Sequence, residues 1–100
     1  MAEGLGLPGS KSWLNITTPT LIDDETATSY TPRRIGRVNV IVAGTTAGTI
    51  NDIGTVTGVL PANNVFTIPN ALGSYLVDFP MLVGIVIVPG TGQTVAVSYD

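Results

Sequence analysis

The sequence predicts an all-β protein: a small antiparallel β-sandwich, jelly-roll or Greek-key-like, with an extended N-terminal arm. Three observations carry this. From Ile35 onward, runs of about four to eight residues rich in Val, Ile and Thr recur about every eight to twelve positions, with Gly, Pro or Asn between them. No stretch shows helical spacing with caps, and β-branched residues stand where a helix would want Ala, Leu, Glu and Lys. All four basic residues (Lys11, Arg33, Arg34 and Arg37) fall in the first 37 positions, so charge and β pattern divide the chain into an arm and connecting segment, 1–34, and a β-sandwich domain, 35–100.

Taken in order, residues 1–12 hold three glycines and a proline without periodicity and read as a mobile arm. Trp13 to Thr18 reads as a first short strand. Trp13, the single tryptophan, is a candidate either to cap the domain's own core or to anchor the arm in a neighbouring subunit. Asp23, Asp24 and Glu25 form an acidic cluster about ten residues before the basic cluster Arg33, Arg34 and Arg37. Consecutive carboxylates lack the alternate spacing of a calcium loop, so no metal is expected there. A solvated loop is the plain reading. An acid-to-arginine contact between subunits is the functional one, because guanidinium forks pair well with carboxylates at interfaces.

The β body then begins with Gly36 to Ala43, alternating so that Val38, Val40 and Val42 face inward while Arg37 and Asn39 face out. Thr49 to Ile53, Thr55 to Leu60, Val65 to Ile68 and Leu72 to Phe79 follow as strands, and Pro80 is expected to end the last of them. Met81 to Tyr99 reads as a closing hairpin turned by Pro89-Gly-Thr-Gly92. Its first arm is apolar at nearly every position, which requires either a central strand or a neighbouring subunit to cover the second face.

One hundred residues make one domain with little stability to spare, and oligomerisation would help it. The chain is 44% hydrophobic and only 11% charged, so Thr, Asn and Ser must carry solubility. With no cysteine there is no disulfide framework or thiolate site, and with no histidine the commonest general base and zinc ligand is missing. The net charge of −3 and a nearly lysine-free body argue against nucleic acid as a partner. The apolar run from Met81 to Val88 is far short of the ~20 residues that cross a bilayer, and the first residues lack a signal-peptide pattern, so synthesis in the cytoplasm without membrane insertion is the expectation. Asn15-Ile-Thr17 matches the glycosylation pattern and is read as chance.

Two stretches invite a chemical reading. Pro89-Gly-Thr-Gly-Gln-Thr94 looks like the end of a phosphate-binding loop, but Gln93 replaces the lysine, Ile87 stands where the first glycine belongs, and a strand follows instead of a helix. Besides the terminal Asp100, Asp52 and Asp78 are the carboxylates of the body and its only candidates for an acid/base pair; the first sits in a turn-like setting and the second on an alternating strand. Neither stretch implies an enzyme or a cofactor.

The segments Ala43-Gly-Thr-Thr-Ala-Gly-Thr-Ile-Asn-Asp52, Thr55-Val-Thr-Gly-Val59, Phe66-Thr-Ile-Pro-Asn70 and Pro89-Gly-Thr-Gly-Gln-Thr-Val-Ala-Val-Ser-Tyr99 together resemble the small all-β virion proteins of tailed bacteriophages. The resemblance covers roughly the last two-thirds of the chain. It implies a capsid decoration (cement) protein or a minor tail component, assembled as a symmetric oligomer, and does not extend to the N-terminal arm and acid/base segment. The leading expectation is a capsid decoration protein on the outer head surface, a homotrimer whose partner is the major capsid protein, with residues 1–37 reaching across interfaces. The alternative from another class is a tail-fibre or baseplate module for receptor or carbohydrate binding.

Overall fold

A computed structural model describes residues 11–22 and 33–100. They form eight strands: β1 (Lys11–Ile16), β2 (Thr20–Ile22), β3 (Arg33–Val42), β4 (Gly48–Asn51), β5 (Asn64–Ile68), β6 (Gly73–Met81), β7 (Ile85–Val88) and β8 (Thr94–Tyr99). A 3-10 turn, Pro61–Asn63, precedes β5. The all-β expectation therefore holds.

The strands make two four-stranded antiparallel sheets, in the orders β1-β8-β3-β6 and β2-β7-β4-β5. Strand β1 pairs with β8, β2 with β7, β3 with β6 and β4 with β5, as if one long hairpin had been rolled around a barrel axis. This nesting is the jelly roll. The steps β1 to β2, β3 to β4, β5 to β6 and β7 to β8 each cross from one sheet to the other and, because consecutive strands run in opposite directions, these four connections gather at one end of the sandwich. The connection 52–63, the turn 82–84, Lys11 and Asp100 lie at the other end.

The core is built by alternation. Ile35, Val38, Val40, Val95, Val97 and Tyr99 from the first sheet meet Ile22, Ile50, Ile68, Ile85 and Ile87 from the second, with Ile16 and Met81 closing the layer. Four strands interrupt their alternation with an extra residue; in β5 the slip falls opposite Ile50 and Asn51. In β1 the pairing slips between Trp13 and Ile16, with Asn15 at φ 58°. In β6 it slips opposite Ile35 to Arg37, with Asp78 at φ 47°. Asn and Asp are the residues that tolerate this left-handed conformation, so both bulges are written in the sequence at the positions that need them. In β3 the slips fall opposite β8.

Four expectations are corrected. The boundary at 34/35 is absent, because residues 11–22 and Arg33 and Arg34 are strands of the sandwich itself. Of the expected arm, residues 1–10 lie outside the described residues. Thr55 to Leu60 is not a strand but part of the long connection after β4; Gly54 precedes it, Gly58 adopts φ 74°, and its Thr55 hydroxyl bonds locally to Thr57. Pro80 does not end β6, which runs on to Met81; β6 is an edge strand, where a missing N–H is tolerated.

The fourth correction concerns the closing hairpin. Its two arms are β7 and β8, and they belong to different sheets, so Pro89 to Gln93 is an arch over the end of the sandwich. Strand β7 is central in its sheet, between β2 and β4. Ile85 and Ile87 enter the core, and Val86, also fully buried, points to the outer face beside Asn51 and Leu21. That face is covered from within the chain: Val56, Gly58, Val59, Leu60 and Pro61 line a groove of about 470 Å³ together with Thr49 and Val88. No neighbouring subunit is needed to hide β7.

Candidate interaction surfaces

At the end where the four crossings gather, Gln93 is 1% exposed and joins three of the four connections. Its Nε2 donates to the carbonyl of Pro69 (3.0 Å) and that of Ala43 (3.5 Å), and its Oε1 accepts from the Gly90 N–H (3.0 Å). Thr46 Oγ1 accepts from the Thr91 N–H at 2.8 Å, and the Thr45 N–H donates to the Thr91 carbonyl at 2.9 Å. The close fit needs glycine: a Cβ on Gly90 would overlap the Thr46 carbonyl oxygen. The stretch that looked like a phosphate loop is thus an interlocked set of backbone carbonyls and amides, with its glutamine consumed in holding them.

At the opposite end Asp52 plays the matching part. Its Oδ1 accepts from the Val83 (2.7 Å) and Gly84 (3.1 Å) N–H groups and its Oδ2 from the Leu82 N–H (3.0 Å), fastening the 52–63 connection to the turn between β6 and β7. Burial pushes its pKa up, but the three backbone donors outweigh burial and leave it below the ordinary value. Asp52 and Asp78 do not meet as an acid/base pair. Asp52 is held by Leu82 to Gly84, while Asp78 lies at the β6 bulge and receives Arg34 Nη1 at 3.2 Å.

The three arginines are separated by β3 geometry. Arg33 is half-buried opposite Met81. Arg34 is engaged within the chain: besides Asp78, its backbone N–H donates to Asp100 Oδ1 at 2.7 Å, and its carbonyl accepts from the Asp100 N–H at 3.2 Å. Arg37 is exposed on the outer face of the first sheet, and its backbone N–H donates to Ser98 Oγ at 2.9 Å. Asp23, Asp24 and Glu25 lie outside the described residues. Trp13 stands opposite the core residue Val97 on edge strand β1, 36% exposed, at the rim of the sandwich.

Around Arg37, the outer face of the first sheet is a shallow trough of about 270 Å³ floored by small groups, among them Ser12, Ser74, Ala96 and Ser98, with Leu14 on one side. Leu76, the β6 partner of Arg37, bounds the other. Leu14 and Leu76 are 68% and 62% exposed. Ile41, Val42 and Leu72 are exposed towards the crossing end, and Phe79, Leu82 and Val83 towards the opposite end. Among the described residues no group of His, Cys, Asp or Glu could hold a metal ion, and no helix is long and apolar enough to cross a membrane.

Sequence reasoning missed both tethers. Gln93 could have been found as the one long amide in a loop otherwise of Gly, Pro and Thr; Asp52 has no signal beyond its turn-like setting, because its three donors lie thirty residues downstream. No protein-family model matches the chain, and neither a curated protein nor a solved structure matches it.

Proposed function

We propose that this protein is a structural component of a tailed-phage virion, a capsid decoration protein that binds the outer head surface as a homotrimer and stabilises contacts between major capsid subunits. One observation carries the reading: among the described residues, eleven large apolar side chains are at least one-third exposed, against seven charged residues, and they are spread over both ends and one sheet face. A catalytic or ligand-binding domain concentrates its chemistry in one cleft. A lattice element needs modest contacts on several sides, summed by repetition. The jelly roll, an architecture used by viral capsid and lectin domains, is consistent with this role by analogy of fold. Three copies suit the local threefold positions of an icosahedral shell.

The tail-module reading for carbohydrate has less support. Sugar sites stack rings on exposed aromatics, and the two exposed ones among the described residues, Trp13 and Phe79, sit on the opposite edge strands β1 and β6 of one sheet. The deciding experiment is the thermal stability of particles assembled with and without the protein, together with its copy number per particle. A lowered melting temperature without it, at a copy number set by the head lattice, supports the proposal. Unchanged heads, or a copy number matching the tail, refute it.

A further inference from the structure

The outer face of the first sheet carries a charge with no acid to meet it. Among the described residues no carboxylate or carbonyl bonds the Arg37 guanidinium, whereas Arg34, three residues earlier on the same strand, has Asp78. Ser98 Oγ accepts the Arg37 backbone N–H, so the Ser98 hydroxyl proton remains to be donated beside the guanidinium. A guanidinium fork next to a hydroxyl donor is matched by a carboxylate.

The register places an exposed leucine at two opposite corners of this charge's surroundings. Ser12, Ser98, Arg37 and Leu76 form one row across β1, β8, β3 and β6, and Leu14, two residues after Ser12, begins the next row on β1. Leu14 and Leu76 are therefore three strands and one two-residue step apart, ~16 Å at ordinary strand spacing and rise. Positions i, i+2 and i+4 of an extended chain share one side and span ~13 Å, and leucine-sized side chains reach the remainder. The face thus fits an extended segment with a carboxylate between two apolar side chains.

The occupant is another protein. Asp52, Asp78 and Asp100, the carboxylates among the described residues, are each engaged within the chain, by the Val83 N–H, by Arg34 Nη1 and by the Arg34 N–H. Two copies related by a twofold axis through this face would also set Arg37 against Arg37. A sugar is disfavoured because the trough is lined without an aromatic ring, and Trp13 and Phe79 stand opposite Val97 and Ile35, residues of the core.

We propose that the outer face of the first sheet docks an extended, acid-centred segment of a partner protein, its carboxylate on Arg37 and the Ser98 hydroxyl and its apolar side chains over Leu14 and Leu76. The proposal rests on the decoration reading only in naming the capsid subunit as that partner.

Two arms test it on the full-length protein. In the first, isotope-labelled protein is titrated to millimolar concentration with the capped peptide Leu-Thr-Asp-Thr-Leu, with its counterpart carrying asparagine for aspartate, and with glucuronate. The aspartate peptide is expected to shift the amides of Arg37, Asn39, Leu76 and Ser98 and to leave those of Ile53 and Asn64 in place; the other two probes should shift none. Arg37→Glu should weaken peptide binding about tenfold or more, with an unchanged melting curve showing that the variant folds. No shift with the aspartate peptide, or equal shifts with the asparagine peptide, overturns the proposal. Equal shifts with glucuronate overturn it too, making the face a site for acidic sugars. In the second arm, heads lacking the protein are titrated with wild type and Arg37→Glu, and the variant is expected to bind about tenfold more weakly or worse. Equal binding of the two overturns the docking surface and leaves the decoration reading standing. Wild type that shifts with the aspartate peptide yet does not bind heads supports the surface and refutes that reading. A change of oligomeric state on Arg37→Glu assigns the face to contact between copies and overturns the proposal.

Discussion

Gln93 Nε2 donates to the Pro69 carbonyl at 3.0 Å, joining the connection between β7 and β8 to the one between β5 and β6. A single side chain at the closed end of the roll thereby ties segments that are remote in sequence. Replacing it by leucine keeps the bulk but leaves the Gly90 N–H and the Pro69 carbonyl without their partner. Each buried group so stranded costs about 1–3 kcal/mol, so Gln93→Leu is expected to lower unfolding free energy by roughly 2–6 kcal/mol in urea titrations. Gln93→Glu should fare no better at neutral pH, since it cannot donate to either carbonyl.

Two glycines separate crowding from backbone conformation. At Gly90 the φ is ordinary, but an added Cβ would meet the Thr46 carbonyl; at Gly58 the φ is +74° and nothing lies within 4 Å. Gly58→Ala is expected to cost roughly 1–2 kcal/mol from the left-handed conformation alone. Gly90→Ala should reach the top of the roughly 1–3 kcal/mol range for overpacking, or exceed it. Denaturation midpoints of the two variants in the same buffer give the order.

Asp52 makes acid stability a local matter. Its folded pKa is depressed relative to about 3.9 in the unfolded chain. Its contribution is therefore present in full above the unfolded value and is lost as pH falls through the lower folded value. Asp52→Asn is expected to be less stable than the parent by about 1–2 kcal/mol at pH 7, with the gap narrowing below about pH 4. Amide hydrogen exchange of Leu82, Val83 and Gly84 should accelerate in the variant at pH 7.

The cover over β7 can be tested by truncation. Val86 is fully buried and Val83 is 56% exposed, two residues on either side of Gly84 and Ile85. Val86→Ala is expected to cost about 2 kcal/mol, independent of protein concentration, because the covering groups belong to the same chain. Val83→Ala should stay within about 0.5 kcal/mol. A Val86→Ala penalty that grew with protein concentration would mean that another copy supplies the cover.

Arg34 and Asp78 form an exposed pair, and the αL backbone at Asp78 matters more than its charge. Asp78→Asn keeps a residue suited to φ 47° and is expected to change stability by less than about 0.5 kcal/mol. Asp78→Val, which cannot take that conformation without strain, should cost roughly 1–2 kcal/mol.

The strands were legible because alternation is a local property: Val38, Val40, Val95, Val97 and Tyr99 declare their inward face without reference to any partner. Which strands pair was not. Pro89-Gly-Thr-Gly92 suits a hairpin as well as an arch, and only the pairing of β7 with β2 and β4, and of β8 with β1 and β3, decides between them. The same limit hid the arm's true extent, since Trp13 gains its place in the sandwich from Val97, more than eighty residues away. Site residues followed suit. Arg37 was read as outward-facing and is, whereas Arg34, assigned with it to an intersubunit contact, meets a carboxylate of its own chain.

The nested pairing has a consequence for how the protein is made. Strand β8 lies between β1 and β3, so the first sheet has an empty central lane until residues 94–99 exist. During synthesis β1 has no hydrogen-bonded neighbour at all, and β3 can pair on one side only. Pairings this distant in sequence form slowly, and unpaired edges invite association in the meantime. A chain that leaves its centre to the last is expected to emerge from the ribosome as an open template, closing in one late step when β8 slots home.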